Sequence, residues 1–267
     1  MSRLETTLRS ALETTARRAT SMLKLDQVPG GATSAAQLTF AGDELTAVNQ
    51  SMYEYVSRHP DDTHAVASTA IDRVRFARSV EWLRSVIRPG QRVLELGGGG
   101  MSTHIITRAF PGVPVEAAPF ELRRPFPHSD ASFDVVLCME VIEHVADEPY
   151  QYATTLSGVR HCLREVARVL APGGRLFLTT PNAASTFTLA RAVKQEPQMA
   201  YEWHFREFTA GEISGLVTEQ AFAIERAGTE QVWFFSPRNP LLLMALWAAG
   251  ADLKNRGDDT FLIARRT

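Results

Sequence analysis

Two histidines and a carboxylate are the side chains of this sequence that are best suited to move a proton. Glu143 and His144 follow an apolar run that ends near Met139, and His204 lies in the aromatic, charged stretch 201–208. An imidazole or a carboxylate can remove the proton of a hydroxyl group near neutral pH. We therefore expect His144, His204 and Glu143 to form the catalytic part of a site.

A run of glycines predicts a binding site. The segment 93–100 reads Val-Leu-Glu-Leu-Gly-Gly-Gly-Gly, so apolar residues lead to one acid and then to a glycine turn. A strand that ends in such a turn before a helix lets a ligand approach the backbone, since no Cβ intervenes. Ser102 stands where the dinucleotide-binding pattern has its third glycine. The turn alone leaves open a dinucleotide site, another nucleoside cofactor and a purely structural role.

The elements around these residues predict a parallel sheet. From residue 92 onward, short β-branched runs alternate with helical segments. Ligands bind at the carboxyl edge of such a sheet, where the glycine turn and His144 both fall. Strands are predicted at 92–96, 113–116, 133–138, 175–179, 221–227 and 260–264, and helices at 102–109, about 156–170 and 239–254. The predicted fold class is α/β, a doubly wound sheet with a helical N-terminal segment.

The N-terminal part of the chain predicts helices at 3–24, 43–58 and 63–87. The first has an apolar stripe that starts at Leu4, Leu8 and Leu12, with the spacing of an amphipathic helix. We divide the chain into a helical lid or appendage, residues 1–85, and a cofactor-binding domain, residues 86–267.

The segment 93–183 resembles the core of the class I S-adenosylmethionine-dependent methyltransferases. The resemblance includes the acid and alternating glycines of Glu95, Gly97 and Gly99. It extends to the Pro-Phe-Pro stretch and the Phe-Asp pair within 124–136. It also includes the Glu-Val-Ile-Glu-His run of 140–144 and the helix, turn and strand of 163–176. The resemblance implies a Rossmann-like methyltransferase sheet, S-adenosylmethionine as the cofactor and methyl transfer as the activity.

The resemblance also implies which residues bind the cofactor. Glu116, near the end of the second strand, is placed to accept hydrogen bonds from the ribose hydroxyls. Met101 stands where many members have a third glycine. The stretch before Pro125 is too short for the two strands and two helices that the family usually has there, which leaves the adenine-binding residue open. Phe120 and Glu121 are the candidates, because they shortly precede the Pro-Phe-Pro stretch. The expected cofactor-binding set is Glu95, Leu96, Gly97, Gly98, Gly99, Glu116, Phe120, Glu121, Met139 and Glu140.

The resemblance implies transfer to a small molecule, with oxygen favoured over nitrogen as the acceptor. Two alternatives stay open. Glu140, Glu143, His144 and His204 match the metal-ligand pattern of the RNA 3′-end 2′-O-methyltransferases, and such donors suit Mg²⁺ or Mn²⁺. The same run is common in methyltransferases without a metal, so we expect no metal here. The other alternative is a cofactor-binding protein without catalysis.

The composition argues against several classes of partner. Of the 267 residues, 45% are hydrophobic and 22% are charged, as in a globular protein with one good-sized core. The net charge of -2 predicts no broad basic surface, so we expect a small-molecule substrate and no nucleic-acid partner. Two cysteines are too few for a disulfide framework. Because no segment suits a secretory signal or a membrane span, we expect a cytoplasmic protein with no membrane partner. A homodimer is compatible with the sequence.

Overall fold

The computed structural model describes residues 43–117, 119–147, 156–201, 203–233 and 240–267. The helix predicted at residues 3–24 therefore lies outside the described residues. Among the helices within them, none has the length and apolar character needed to cross a bilayer.

Six strands form one sheet in the order β2-β1-β3-β4-β6-β5. β1 to β4 are parallel, whereas β6 runs antiparallel to both β4 and β5. The antiparallel strand places its first residue, Asp259, beside Pro181 at the carboxyl end of β4. The strands are β1 Val93–Glu95, β2 Val115–Ala117, β3 Phe133–Met139, β4 Leu170–Pro181, β5 Phe222–Glu230 and β6 Asp259–Arg266.

Helices cover both faces of the sheet, so the predicted doubly wound fold is confirmed. Side chains alternate along β4: Phe177 enters the core on one face, and Leu176 and Leu178 enter the core on the other. A 3₁₀ turn, Ile142–His144, follows β3. The helices are α1 Glu44–Arg58, α2 Thr63–Ile71, α3 Arg73–Leu83, α4 Met101–Ala109, α5 Ser157–Val169, α6 Thr186–Val193, α7 Ala210–Thr218 and α8 Pro240–Ala248.

The helices that precede the sheet are part of its core. Met52 of α1 and Val80 of α3 are buried in the same cluster as Val135 and Phe177. The single helix predicted at 63–87 is in fact two, α2 and α3, which are divided at Asp72. Aspartate favours such a break because its carboxylate can bond to nearby donors instead of facing solvent on a continuous helix. The domain boundary at residue 85 and the lid role of the N-terminal segment stay predictions.

The remaining differences lie near the C-terminal half. The helix predicted at 239–254 ends earlier, at Ala248. Gly250, two residues later, adopts a φ of +76°, a conformation that closes helices. We did not predict α6 and α7, although α7 begins with a capping box in which Thr209 and Glu212 bond to each other's backbone. Between β2 and β3 the described residues form no helix or strand, as the shortness of that segment predicts.

Candidate functional site

The glycine turn joins β1 to α4 at the carboxyl edge of the sheet. Its residues Gly97, Gly98, Gly99 and Gly100 have φ values of 100°, 95°, 87° and 95°. Residues with a side chain rarely adopt such angles. A Cβ at Gly97 would lie 2.9 Å from Cγ2 of Val141, so the turn also packs closely under the end of β3. The sequence is glycine-rich here because both the backbone angles and the close packing exclude a side chain.

A cavity of about 240 Å³ lies over this turn. The expected cofactor residues Glu95, Leu96, Gly97, Gly99, Met139 and Glu140 all line it. The rest of its lining includes residues of α2, of α3 and of the loop between α1 and α2. Among them are Asp62, His64, Ser68, Arg75 and Phe76. The turn and α3 therefore enclose one space.

Glu95 is the buried acid of this cavity. Only 2% of the residue is exposed, and its carboxylate accepts a hydrogen bond from the Thr103 hydroxyl in the first turn of α4. Burial raises the pKa of Glu95, while hydrogen bonds from Ser102 and Thr103 oppose that rise. The acid thus ties the strand to the helix that follows the turn.

A second cavity, of about 470 Å³, adjoins the first. Gly97, Glu140 and Val141 line both cavities. Phe120 and Glu121, which we expect to hold the adenine, line the second cavity. Arg123 donates to both carboxylate oxygens of Glu121, at 2.9 and 2.8 Å, and lowers the pKa of that carboxyl to about 2.

Two residues of the expected cofactor set lie elsewhere. Glu116 is the middle residue of β2, is largely exposed, and has a carboxylate oxygen 3.6 Å from Nδ1 of His128. Gly98 faces Pro119. Neither Glu116 nor Gly98 is among the described residues that line the two cavities. The assignment of Glu116 to the ribose stays a prediction.

The three expected catalytic residues come together in space. One donor atom each from Glu143, His144 and His204 lie within 4.8 Å of one another. The 3₁₀ turn after β3 supplies the first two residues. The backbone N–H groups of Phe205 and Arg206 donate to the carbonyl of Glu143, at 2.9 and 3.3 Å, which fixes the loop that carries His204.

Hydrogen bonds orient both imidazoles. Nδ1 of His144 lies 3.2 Å from the carbonyl oxygen of Trp203, and Nδ1 of His204 lies 2.7 Å from Oε1 of Glu207. Because these partners accept, Nδ1 is the protonated nitrogen in the neutral form of each imidazole, and in that form Nε2 presents a lone pair. We call the set of Glu143, His144 and His204 the catalytic cluster, after the role that the sequence predicts for it.

Burial and mutual repulsion set the charge of the catalytic cluster. Burial raises the pKa of the Glu143 carboxyl, and the nearby Glu140 carboxylate raises it further. Thr180 donates to Oε2 of Glu143 at 2.9 Å, whereas Oε1 is buried without a hydrogen-bond partner among the described residues. Burial lowers the pKa of His144, and His204 lowers it further. At neutral pH His144 is therefore a neutral proton acceptor.

The structure adds polar residues that the sequence did not reveal. The hydroxyl of Thr179 donates to the Glu140 carboxylate at 2.8 Å. The Asp259 carboxylate is buried near Glu140 with no hydrogen-bond partner among the described residues, and burial raises its pKa. Arg75 looks in the sequence like one more charged residue of an amphipathic helix. Of these three residues, only Thr179 could have been suspected from the sequence, because it stands in a Thr-Thr pair at the end of a predicted strand.

Comparison with known proteins identifies the family. A family model described as a methyltransferase domain matches residues 64–227, which is more than half of the chain. The chain belongs to the class I S-adenosylmethionine-dependent methyltransferases. The expected family, enzyme class and cofactor are thus confirmed at the level of the family.

Individual relatives of this methyltransferase match parts of it. It is 35% identical over 99 residues to a probable S-adenosylmethionine-dependent methyltransferase of Mycolicibacterium smegmatis, a match that covers 37% of this chain and 32% of that protein. It is 30% identical over 213 residues to the demethylmenaquinone methyltransferase of Mycobacterium bovis, which covers 67% of this chain and 82% of that protein. Because the first of these matches spans only 32% of the relative, the substrate, the reaction and the partners of the whole protein are proposals.

A solved structure supports the fold. The pyocyanin biosynthetic protein PhzM is 16% identical, with a TM-score of 0.50, and the match covers 81% of this chain and 62% of that one. At this identity the likeness supports the fold alone.

The residues present fit the cofactor of the family. Gly97 and Gly99 line the cavity at positive φ, where side chains are disfavoured, so the backbone of the turn is open to a ligand. Carboxylates and one guanidinium line the cavity above that turn. The amino-acid part of S-adenosylmethionine carries both charges, so Glu95, Gly97, Gly99 and Arg75 are suited to hold it.

Proposed function

We propose that this methyltransferase transfers a methyl group from S-adenosylmethionine to a hydroxyl oxygen of a small molecule. One observation carries the proposal: His144 lines the 470 Å³ cavity, and Gly97 and Glu140 line that cavity together with the one over the glycine turn. His144 and the glycine turn therefore line adjoining cavities.

The catalytic cluster provides the proton transfer. When bound, S-adenosylmethionine supplies a methyl group on a sulfonium, whose C–S bond breaks as the new C–O bond forms. The hydroxyl proton passes to a neutral imidazole: His144 lines the larger cavity, and His204 is buried beside it, with ring centroids 4.8 Å apart. A positioned base of this kind contributes roughly 10²- to 10⁴-fold to a rate.

The walls of the larger cavity favour a substrate with an apolar or ring-shaped body. Apart from the expected adenine residues, Leu122, Val145 and Phe205 line it. Phe205 is 69% exposed and Trp203 is 67% exposed, although both are large and apolar. Exposed apolar side chains at the mouth of a cavity are typical of a binding site. The name of the Mycobacterium bovis relative, a demethylmenaquinone methyltransferase, adds demethylmenaquinone to the compounds worth testing.

Transfer of labelled methyl groups tests the proposal. The enzyme is incubated with methyl-labelled cofactor and a panel of hydroxylated quinones, phenols, sugars and amines that includes demethylmenaquinone. We expect label on a hydroxyl oxygen. His144→Ala and His204→Ala should each lower turnover by about 10²- to 10⁴-fold with nearly unchanged cofactor affinity.

The exposed His59, whose ring lies beside Tyr55, provides the matched control, and His59→Ala should keep full turnover. Label on amines alone would contradict the oxygen acceptor. Full turnover in both cluster variants would remove histidine as the base.

A second candidate is a metal-dependent transfer, and the geometry of the catalytic cluster favours it. Histidines that bind a metal usually donate their other ring N–H to a carboxylate or a carbonyl. His144 and His204 both do so, toward Trp203 and Glu207. Oε1 of Glu143, buried without a partner among the described residues, would supply the carboxylate ligand. A divalent cation here would bind the substrate oxygen and lower its pKa.

Chelation distinguishes the two candidates. If the imidazoles act as bases, EDTA leaves turnover of the wild type unchanged, and this is the result we expect. If EDTA stops turnover and added Mg²⁺ or Mn²⁺ restores it, the second candidate replaces the first. In that case RNA 3′ ends should be added to the panel of substrates, because the metal-dependent methyltransferases whose ligand pattern this sequence matches act on RNA.

A further inference from the structure

Arg75, in the first turn of α3, brings a buried positive charge to the 240 Å³ cavity. Only 8% of the residue is exposed. Its Nε donates to Oδ1 of Asp72 at 3.2 Å, and the guanidinium carbon lies 4.5 Å from the ring centroid of Phe76. These contacts hold the side chain. They leave Nη1 and Nη2 without a hydrogen-bond partner among the described residues.

A guanidinium in this position is suited to bind an anion. Burial lowers the pKa of Arg75, but the carboxylates of Asp72, Glu140 and Asp259 raise it, so the side chain stays charged. Because Arg75 lines the cavity, the donors that Asp72 does not use are available to a ligand there, and hydrogen bonds between charged groups are the strong ones. The planar fork of arginine matches the two oxygens of a carboxylate.

The other charges of the cavity restrict the kind of anion. Among the described residues that line it, Arg75 is the only arginine or lysine, whereas Asp62, Glu95 and Glu140 are acids. A phosphate or another multiply charged anion would be repelled by those acids. An amino-acid group would place its carboxylate on Arg75 and its ammonium near the acids. The cavity therefore matches a zwitterion.

We propose that Arg75 binds the carboxylate of the methionine part of the cofactor. The inference rests on the proposed function, because it assumes that S-adenosylmethionine occupies the cavity over the glycine turn. Arg75 is then a cofactor-binding residue contributed by the helices that precede the sheet.

Calorimetry with two ligands tests this role without any turnover. S-adenosylhomocysteine carries the carboxylate, and its decarboxylated analogue carries only the amine. We expect the wild type to bind S-adenosylhomocysteine about 10- to 100-fold more tightly than the analogue, the range of a charged hydrogen-bonded pair. In Arg75→Met the ratio of the two affinities should fall to about one or below. Any general loss of affinity cancels in that ratio.

Arg78, one turn along the same helix, provides the matched control. It pairs with Glu81 and Glu230 and does not line the cavity, so Arg78→Met should keep the wild-type ratio. If Arg75→Met does not fold, Arg75→Lys replaces it and should lower the ratio, because lysine lacks the paired donors.

The wild type by itself can overturn the inference. Equal affinity for the two ligands would do so, as would an unchanged ratio in the Arg75 variants. Failure of both ligands to bind the wild type would instead overturn the proposed function, and the inference with it.

Discussion

Two histidines with different surroundings determine how the site responds to pH. His144 is partly exposed to the larger cavity, whereas His204 is buried and bonded to Glu207. Their rings lie close, with centroids 4.8 Å apart. Protonation of His144 would remove the lone pair that accepts the substrate proton, so we expect turnover to fall when the solution is acid enough to charge that imidazole.

The pH dependence of turnover tests the state of His144. Burial and His204 lower its pKa from the ordinary 6.5, so the neutral, basic form persists below that pH. The acid limb of kcat/KM should therefore fall below pH 6.5, and activity should be flat from there to neutral pH. The measurement is kcat/KM from pH 5 to 8 at fixed ionic strength. An acid limb above pH 7 would mean that the pKa is raised and would contradict this assignment.

Single residues also show how far sequence reasoning extends. The position of Glu143 and His144 was predictable, because both follow a strand whose carboxyl end lies at the ligand edge of the sheet. Arg75 and Asp259 were not predictable. Their positions depend on how α3 and β6 pack against that edge, which no local sequence pattern specifies. No local pattern distinguishes a buried arginine of this kind from one on the solvent face of a helix.

Among the elements, the glycine turn determines whether the cofactor site exists. The strand, turn and helix were predictable because a run of glycines directly after an apolar strand is typical of a turn that needs positive φ angles. The 12 residues of β4 were less predictable: its first residues include Pro172 and Gly173, which are usually found in turns. The antiparallel pairing of β6 depends on contacts between distant parts of the chain.

A single substitution in the turn separates binding from stability. Gly99→Val adds a branched side chain at φ +87° beside the cavity, and it should abolish binding of S-adenosylhomocysteine. Gly112 has a φ of +79° and nothing within 4 Å of an added Cβ. Gly112→Val should therefore cause a similar backbone strain, of about 1–2 kcal/mol, while it leaves binding intact. Calorimetry and thermal unfolding of both variants measure the two effects. Normal binding by Gly99→Val would place the site elsewhere.

At the scale of the whole molecule, one sheet edge collects residues from distant parts of the chain. α3 contributes Arg75, β1 contributes Glu95, and the loop after α6 contributes His204. The doubly wound order was predictable from the alternation of strands and helices. The way in which α1 and α3 join the core was not, because an amphipathic helix does not specify the surface that it covers.

Ligand-dependent stability of the wild type tests the central claim most directly. A ligand that binds only the folded chain adds about 2.7 kcal/mol at a hundredfold excess over its Kd. For a chain of this size that increment raises the Tm by roughly 5–10 °C. We predict such a rise with S-adenosylhomocysteine and none with NAD. A rise with NAD and no response to S-adenosylhomocysteine would contradict the assignment of this chain as an S-adenosylmethionine-dependent methyltransferase.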